Sequence, residues 1–138
     1  MKKAGLASQA SQQKRSKNEI LFYELCVAYF KDIEVLSNPL MFEDKNGNFW
    51  DADVVIPKYT IAIGWNGIWH YEQLNNFNHK LQQVQSRDKI KRDIMINNGY
   101  AFYEIKDMGK FSKNFVYQKF HEFIFSYFIH FEIKMMND

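Results

Sequence analysis

One carboxylate stands inside an apolar segment, at Asp53 in the run Ala-Asp-Val-Val-Ile. A carboxylate in such a setting is costly to bury unless it is paired, hydrogen-bonded or bound to a metal ion. Two strands joined at Pro57-Lys58 would bring Asp53 beside the second strand, on or near the face that carries Gly64 and Asn66. Polar groups therefore converge in an otherwise apolar sheet. Asp51 lies nearer to the start of its strand, where we expect it to be solvated.

A histidine follows the second of these strands, at His70 next to Trp69. Its ordinary pKa near neutrality suits a general acid or base, although a purely structural role stays open. Zinc shared between His70 and His79 lacks evident third and fourth ligands. The Asn-rich segment 75–79, with Asn75, Asn76, Asn78 and His79, is superficially similar to a His-Asn-His nuclease motif, but without a ββα unit we interpret it as a loop.

The elements that must position these groups follow from periodicity and turn signals. Ser16-Lys17-Asn18-Glu19 fits a capping box, which predicts a helix from there to Phe30. The pattern further predicts a hairpin turn at Asn46-Gly47 between strands over 41–43 and 49–56, strands over 59–66 and 68–71, a loop over 72–79, a helix over 81–98 ended by Gly99, a strand over 100–106 and a helix over about 113–131. This α-β-β-β-α-β-α order predicts one α/β domain over 16–138, with a mixed β-sheet flanked by helices, after a basic flexible arm over 1–15.

The composition narrows the class of protein. The chain has 138 residues, of which 46% are hydrophobic, so it has enough apolar side chains for one core. A single Cys excludes a disulfide framework and a Cys-rich zinc site. No apolar signal region begins the chain, and no run approaches the ~20 apolar residues that span a bilayer. We expect a soluble protein of the cytoplasm.

Positive charge is concentrated in two segments. Residues 1–18 contain five Lys and Arg and no acid although the whole chain is only +2, so residues 19–138 sum to −3. Residues 80–92 contain five more Lys and Arg, and Asp88 is the only acid in this segment. Such segments indicate contact with a polyanion or, equally, a solubilising tail and a solvated helix face. The candidate DNA-phosphate contacts are Lys14, Arg15, Lys17, Arg87 and Lys91.

The last predicted helix carries a continuous apolar face. Its members recur at alternating steps of three and four residues: Phe120, Phe123, Ile124, Tyr127, Phe128 and Phe131. Both core packing and a homodimer interface are consistent with this face.

Taken together, the segment from Asp53 to His70 resembles the core of the PD-(D/E)XK nuclease superfamily, in the branch of very-short-patch mismatch repair endonucleases and phage or intron-encoded homing endonucleases. In that pattern an Asp on one strand is followed by an acid on the next strand, a hydrophobic residue, and a Lys or its substitute. Here the second acidic position, 64, lies 11 positions after Asp53, and the substitute is Asn66. Gly67-Ile68-Trp69-His70 is similar to the branch's Gly-x-x-Trp-His, one residue shorter, and the resemblance covers about residues 16–107.

The resemblance implies a restriction-endonuclease-like core and a Mg²⁺-dependent DNA endonuclease of homing or mismatch-repair type. The two acidic positions, Asp53 and Gly64, would hold Mg²⁺ with the scissile phosphate while water attacks in line. Asn66 would orient water or bind a phosphate oxygen, and His70 would act as general acid or base. Glu19 is the helix acid that many relatives present to the metal-bound water, and Gln85 is a polar group on the following helix.

Gly64 departs from the family pattern, because an acid is expected there. Either the glycine is small so that a helix packs closely, or a Glu was replaced at this position. Loss of one of two hard-cation ligands would weaken or abolish cleavage. The alternative function is therefore a catalytically inactive DNA-binding module on the same fold.

Overall fold

A computed structural model describes residues 15–75 and 79–137, and within 128–137 only the side chains of Ile129 and Met136 are described. These described residues form three α-helices and six strands. They are α1 (Lys17–Tyr29), β1 (Leu36–Ser37), β2 (Leu40–Glu43), β3 (Phe49–Asp51), β4 (Val54–Ile56), β5 (Ile61–Gly67), α2 (Leu81–Asn97), β6 (Ala101–Asp107) and α3 (Lys113–Asn137). The fold is mixed α/β, as the sequence predicts.

The strands form two sheets of different size. The larger sheet has the order β1-β4-β5-β6, with β5 and β6 parallel and the other pairs antiparallel, and β2 and β3 form a separate hairpin. The parallel pair is possible because the connection between β5 and β6 contains α2, which returns the chain to the same end of the sheet.

Alternation along β5 divides the core into two layers. Ile61, Ile63 and Trp65 pack with α1 and α3 in one hydrophobic cluster, while Ala62 packs with Ile94 of α2 in the other. The predicted assignment of these residues to opposite faces is confirmed. Helices therefore cover both faces of the larger sheet, and the face with Ala62 continues towards Gly64 and Asn66.

Several predictions made from local sequence signals are confirmed. The Ser16 hydroxyl accepts a hydrogen bond from the Glu19 backbone N–H at 3.1 Å and caps α1. Gly47 and Gly99 adopt positive φ angles of 82° and 86°, at the hairpin turn and at the end of α2. Both positions need a conformation that glycine adopts without steric cost.

Other predicted boundaries are wrong. The run 49–56 is two strands in different sheets, β3 and β4, because the chain crosses between the sheets at Ala52-Asp53. Residues 68–71 are not a strand, since Ile68–His70 form a 3₁₀ turn. The last helix continues to Asn137, and the strand β1 has no counterpart in the prediction.

The described part of the apolar face on α3 belongs to the core. Phe120, Phe123 and Tyr127 are buried, and Ile124 packs against the same cluster. The side chains of Phe128 and Phe131 lie outside the described residues. Among described residues no helix is long and apolar enough to cross a membrane.

Asp107, the last residue of β6, joins three elements through its buried carboxylate. Oδ2 accepts hydrogen bonds from the Asn18 amide and the Trp65 indole, each at 2.9 Å, and Oδ1 accepts one from the Gly109 N–H at 3.2 Å. This carboxylate thereby fixes the N-terminus of α1 against the C-terminal ends of β5 and β6.

We predict that Asp107→Ala destabilises the protein by about 2–4 kcal/mol, because it leaves two buried donors unpaired. Urea unfolding measures the change. Asp107→Asn should lose less, since its carbonyl oxygen still accepts, and Asp32→Ala at an exposed position should change stability by less than about 0.5 kcal/mol. Equal stability of Asp107→Ala and Asp32→Ala would contradict this role.

Candidate active site

Asp53 lies where the chain enters the larger sheet, directly before β4. Its Oδ2 accepts the backbone N–H of Trp65 at 2.6 Å, and Asn38 donates its side-chain amide to Oδ1 at 3.4 Å. The register of β4 against β5, in which Val54 faces Ile63, places Asp53 opposite Gly64. Burial raises the pKa of Asp53, while Lys91 and the Trp65 N–H act in the opposite direction. The expected proximity of Asp53 and position 64 is confirmed.

Glu19 brings a second carboxylate to the same place from the first turn of α1. It is only 7% exposed and its side chain pairs with Arg15. Burial raises the pKa of Glu19 to about 8, and the Asp53 carboxylate adds to this rise although Arg15 and Lys91 lower it. The two carboxylates therefore repel each other in a poorly solvated setting. Such a pair gains from a proton or a further cation.

Asp51 is paired with a cation instead of being only solvated. Lys91 of α2 places its Nζ 3.0 Å from Asp51 Oδ1, and its charge also favours the ionised forms of Asp53 and Glu19. Lys91 therefore faces Asp51, Asp53 and Glu19, which we call the acidic cluster. From the sequence, Lys91 is expected to contact phosphate.

His70 is held by Asp88, a residue that the sequence analysis did not assign to the site. His70 Nδ1 lies 2.7 Å from Asp88 Oδ2, and the two side chains are 14% and 23% exposed. A carboxylate on Nδ1 fixes the ring orientation and leaves Nε2 available for proton transfer. The signal that could have found Asp88 is its position as the only acid within the basic segment of α2.

Two further contacts fix the turn that carries His70. Gln85 donates its side-chain amide to the His70 carbonyl oxygen at 3.3 Å, so it supports the turn and is not among the residues that line the cleft. The Tyr71 hydroxyl donates to Glu104 of β6 and interacts with the buried Asn66. Asn66 itself lines the cleft, as expected.

Phe102 of β6 occupies the space in front of Gly64. A Cβ atom at position 64 would lie 2.7 Å from Phe102 Cζ, much closer than van der Waals contact. The glycine is therefore matched to a ring on the neighbouring strand, and the close approach expected of α2 is made by Ala62 instead. No side chain can be added at position 64 unless Phe102 moves.

These groups line one cleft of about 640 Å³. Six carboxylates and three cationic side chains face it: Glu19, Asp51, Asp53, Asp88, Glu104 and Asp107, with Arg15, Arg87 and Lys91. The cleft is therefore acidic, and it is more suited to a cation than to an unaccompanied phosphate. No group of three or more His, Cys, Asp or Glu suited to hold a metal ion occurs among residues 15–75 and 79–137.

The residues predicted to contact phosphate do not all belong to a basic arm. Arg15 is buried in the cleft, so it belongs to the folded domain. Lys17 is exposed on α1, and the Arg87 guanidinium lies 5.1 Å from the centroid of the Trp50 ring. Lys14, like Asn76 and Asn78 of the Asn-rich segment, lies outside the described residues.

The raised pKa of Glu19 predicts a pH-dependent stability. The folded chain binds the Glu19 proton more tightly than the unfolded chain, whose pKa is near 4.5, so this contribution is complete below about pH 4.5 and is lost as the pH rises through about 8. Without divalent metal, urea unfolding between about pH 5 and pH 8.5 should show a loss larger by about 2–4 kcal/mol in the wild type than in Glu19→Gln. Glu24→Gln, at an exposed position of α1, is the control. Parallel pH profiles for wild type and Glu19→Gln would refute the assignment.

The contact between Gly64 and Phe102 predicts energetic coupling. Gly64→Ala should cost about 1–3 kcal/mol because the added methyl group collides with the ring, and Phe102→Ala should lose packing. The double variant should then be more stable than the sum of the single effects predicts, by at least about 0.5 kcal/mol. A double-mutant cycle by urea unfolding measures this coupling, and strict additivity would contradict the contact.

No protein-family model, curated protein or solved structure matches the chain. The resemblance to PD-(D/E)XK nucleases therefore rests on the residues quoted above. Of those residues, Glu19, Asp53 and His70 line one cleft in the structure, where His70 also contacts Asp88.

Proposed function

We propose that the protein is a Mg²⁺-dependent endonuclease that hydrolyses phosphodiester bonds of DNA. The observation that carries this proposal is the pair of mutually repelling carboxylates, Glu19 and Asp53, in the cleft that also contains His70 held by Asp88. Hydrolysis of a phosphodiester needs charge neutralisation at the phosphate and a group that moves a proton. The cleft offers residues for both tasks.

The donor set fits Mg²⁺. This ion is commonly held by only one or two carboxylates and takes its other ligands from water and substrate phosphate, so a cluster of three protein ligands is not required. Glu19 and Asp53 would hold it, and Glu19 here takes the part that the family pattern gives to position 64. When bound, Mg²⁺ would polarise the phosphate and favour deprotonation of a coordinated water.

The remaining cleft residues have distinct tasks in this proposal. His70 transfers a proton at Nε2, to or from the reacting oxygen, while Asp88 holds the ring through Nδ1. Lys91 and Arg87 bind phosphate oxygens along the strand, because both line the cleft. Asn66 holds the Tyr71 side chain and, from the cleft wall, is in a position to bind a water or a phosphate oxygen.

A second candidate function is a catalytically inactive DNA-binding module. The observation that favours it is the Phe102 ring, which fills the space in which the family's second acid would stand. A chain that had lost cleavage would have no need to keep that space open. This module would bind DNA with a strong dependence on salt concentration, since phosphate contacts release counterions.

We predict that the chain nicks supercoiled plasmid DNA with Mg²⁺ and not with EDTA. Asp53→Asn, Glu19→Gln and His70→Ala should each lower the rate by at least about 10²-fold, because each removes a ligand or the proton-transfer group. Asp88→Asn should shift the pH profile and lower the rate less. Glu24→Gln, which is outside the cleft, is the control that should cleave at the wild-type rate.

The same assay separates the two candidate functions. DNA binding without cleavage in the wild type, together with Mg²⁺-dependent cleavage gained by the double variant Gly64→Glu/Phe102→Ala, would establish the inactive module. Phe102→Ala is included because Gly64→Glu alone meets the ring. The absence of both cleavage and salt-dependent DNA binding would refute both functions.

A further inference from the structure

Arg15 is a buried cation at the centre of the acidic cluster. Its side chain is only 4% exposed, its Nε donates to a Glu19 carboxylate oxygen, and its Nη1 donates to the Ser37 hydroxyl. The guanidinium carbon also lies 5.4 Å from the centroid of the Tyr23 ring. A permanently charged group has therefore been placed beside the acid that is the proposed metal ligand.

The guanidinium is incompletely satisfied in this position. Its Nη2 is buried and has no hydrogen-bond partner in the described part of the chain. A carboxylate that is built to hold Arg usually accepts two parallel bonds from the planar guanidinium, whereas Glu19 accepts one, through Nε. A buried donor without an acceptor weakens the association of this side chain with the cluster.

The charge of Arg15 also matches the cluster poorly. Glu19 and Asp53 repel each other, and the one hydrogen bond from Arg15 to the pair goes to Glu19. Lys91, a second cation of the cleft, is paired with Asp51. The charge of the guanidinium lowers the pKa of both carboxylates but offsets only one negative charge, whereas one divalent ion would offset both.

We infer that Arg15 is the resident counter-ion of the proposed metal site and that a divalent cation displaces it from Glu19. This inference rests on the proposed function, because it takes Glu19 and Asp53 as the metal ligands. Arg15 is thus a positioning residue that holds Glu19 in the cleft while no metal is bound. Its release would free guanidinium donors beside the cleft for a substrate phosphate.

The first test measures the binding of Mn²⁺ alone to the full chain by isothermal titration calorimetry, at low salt and over a range of rising pH, because burial raises the pKa of Glu19 and its carboxyl must lose the proton to bind the ion. Arg15 also lowers the pKa of Glu19, so the two proteins are compared where the affinity of each no longer rises with pH. There Arg15→Gln should bind Mn²⁺ about tenfold more tightly than the wild type, since the competing cation has been removed. Lys31→Gln, which makes the same charge change at an exposed position, should bind as the wild type does. Equal or weaker binding by Arg15→Gln would overturn the inference.

The second test uses the wild-type chain and does not depend on how a variant folds. Phenylglyoxal modifies accessible Arg side chains, and peptide mass spectrometry follows Arg15 separately from the exposed Arg87. Arg15 should be protected without metal and should react several-fold faster with saturating Mn²⁺, while the rate at Arg87 changes little. An unchanged rate at Arg15 in metal-saturated protein would overturn the displacement.

The outcomes distinguish this inference from the proposed function. If wild type binds Mn²⁺ and Asp53→Asn does not, but Arg15 neither competes nor becomes reactive, only the displacement is wrong. If neither wild type nor Arg15→Gln binds Mn²⁺, the metal site itself is wrong and both proposals fall. Binding by Arg15→Gln alone would support both.

Discussion

The repulsion between Glu19 and Asp53 is the constraint on which the arrangement of the cleft depends. Burial raises the pKa of both groups, and the Asp53 carboxylate raises the pKa of Glu19 further, so nearby positive charge is needed to keep them ionised. Part of that positive charge comes from Arg15, which directly precedes the helix cap Ser16, and part from Lys91 of α2. The first turn of α1, the start of β4 and the middle of α2 must therefore meet at one point. The hydrogen bonds of Asp107 and the helix packing on both sheet faces hold them there.

The Asp53 carboxylate lies at the point where the chain crosses from the hairpin into the larger sheet. Asp53 lies between β3 and β4, where its backbone still hydrogen-bonds to Ile63 and Asn38 while its side chain accepts the backbone N–H of Trp65. Further along the same face, Gly64 and Phe102 complement each other across the parallel pair. Position 64, where the resemblance leads one to expect a second acid, is thus closed by a neighbouring strand. The acidic partner of Asp53 comes from α1 instead, at Glu19.

Sequence patterns predict the local features of this fold better than they predict its contacts between distant segments. The opposite faces of Ile63 and Ala62, the cap at Ser16 and the positive φ of Gly99 depend on short-range geometry, and all were predicted. The run 49–56 is apolar apart from Asp51 and Asp53, and its pattern does not reveal that β3 and β4 join different sheets. Composition placed Arg15 in a basic arm, whereas its burial depends on Glu19 and Ser37. The contact between His70 and Asp88 joins a turn to a helix 18 positions away, so no local pattern shows it.

The charge distribution also orders the events that the proposed endonuclease requires. Six carboxylates against three cationic side chains make the cleft repulsive to a phosphodiester, even though Arg87 and Lys91 line it. A divalent ion at the proposed site of Glu19 and Asp53 would offset two of the three excess negative charges, and displacement of Arg15 would add a phosphate-binding group beside it. Metal binding would therefore favour DNA binding in the proposed endonuclease, because the metal-loaded cleft repels the DNA backbone less.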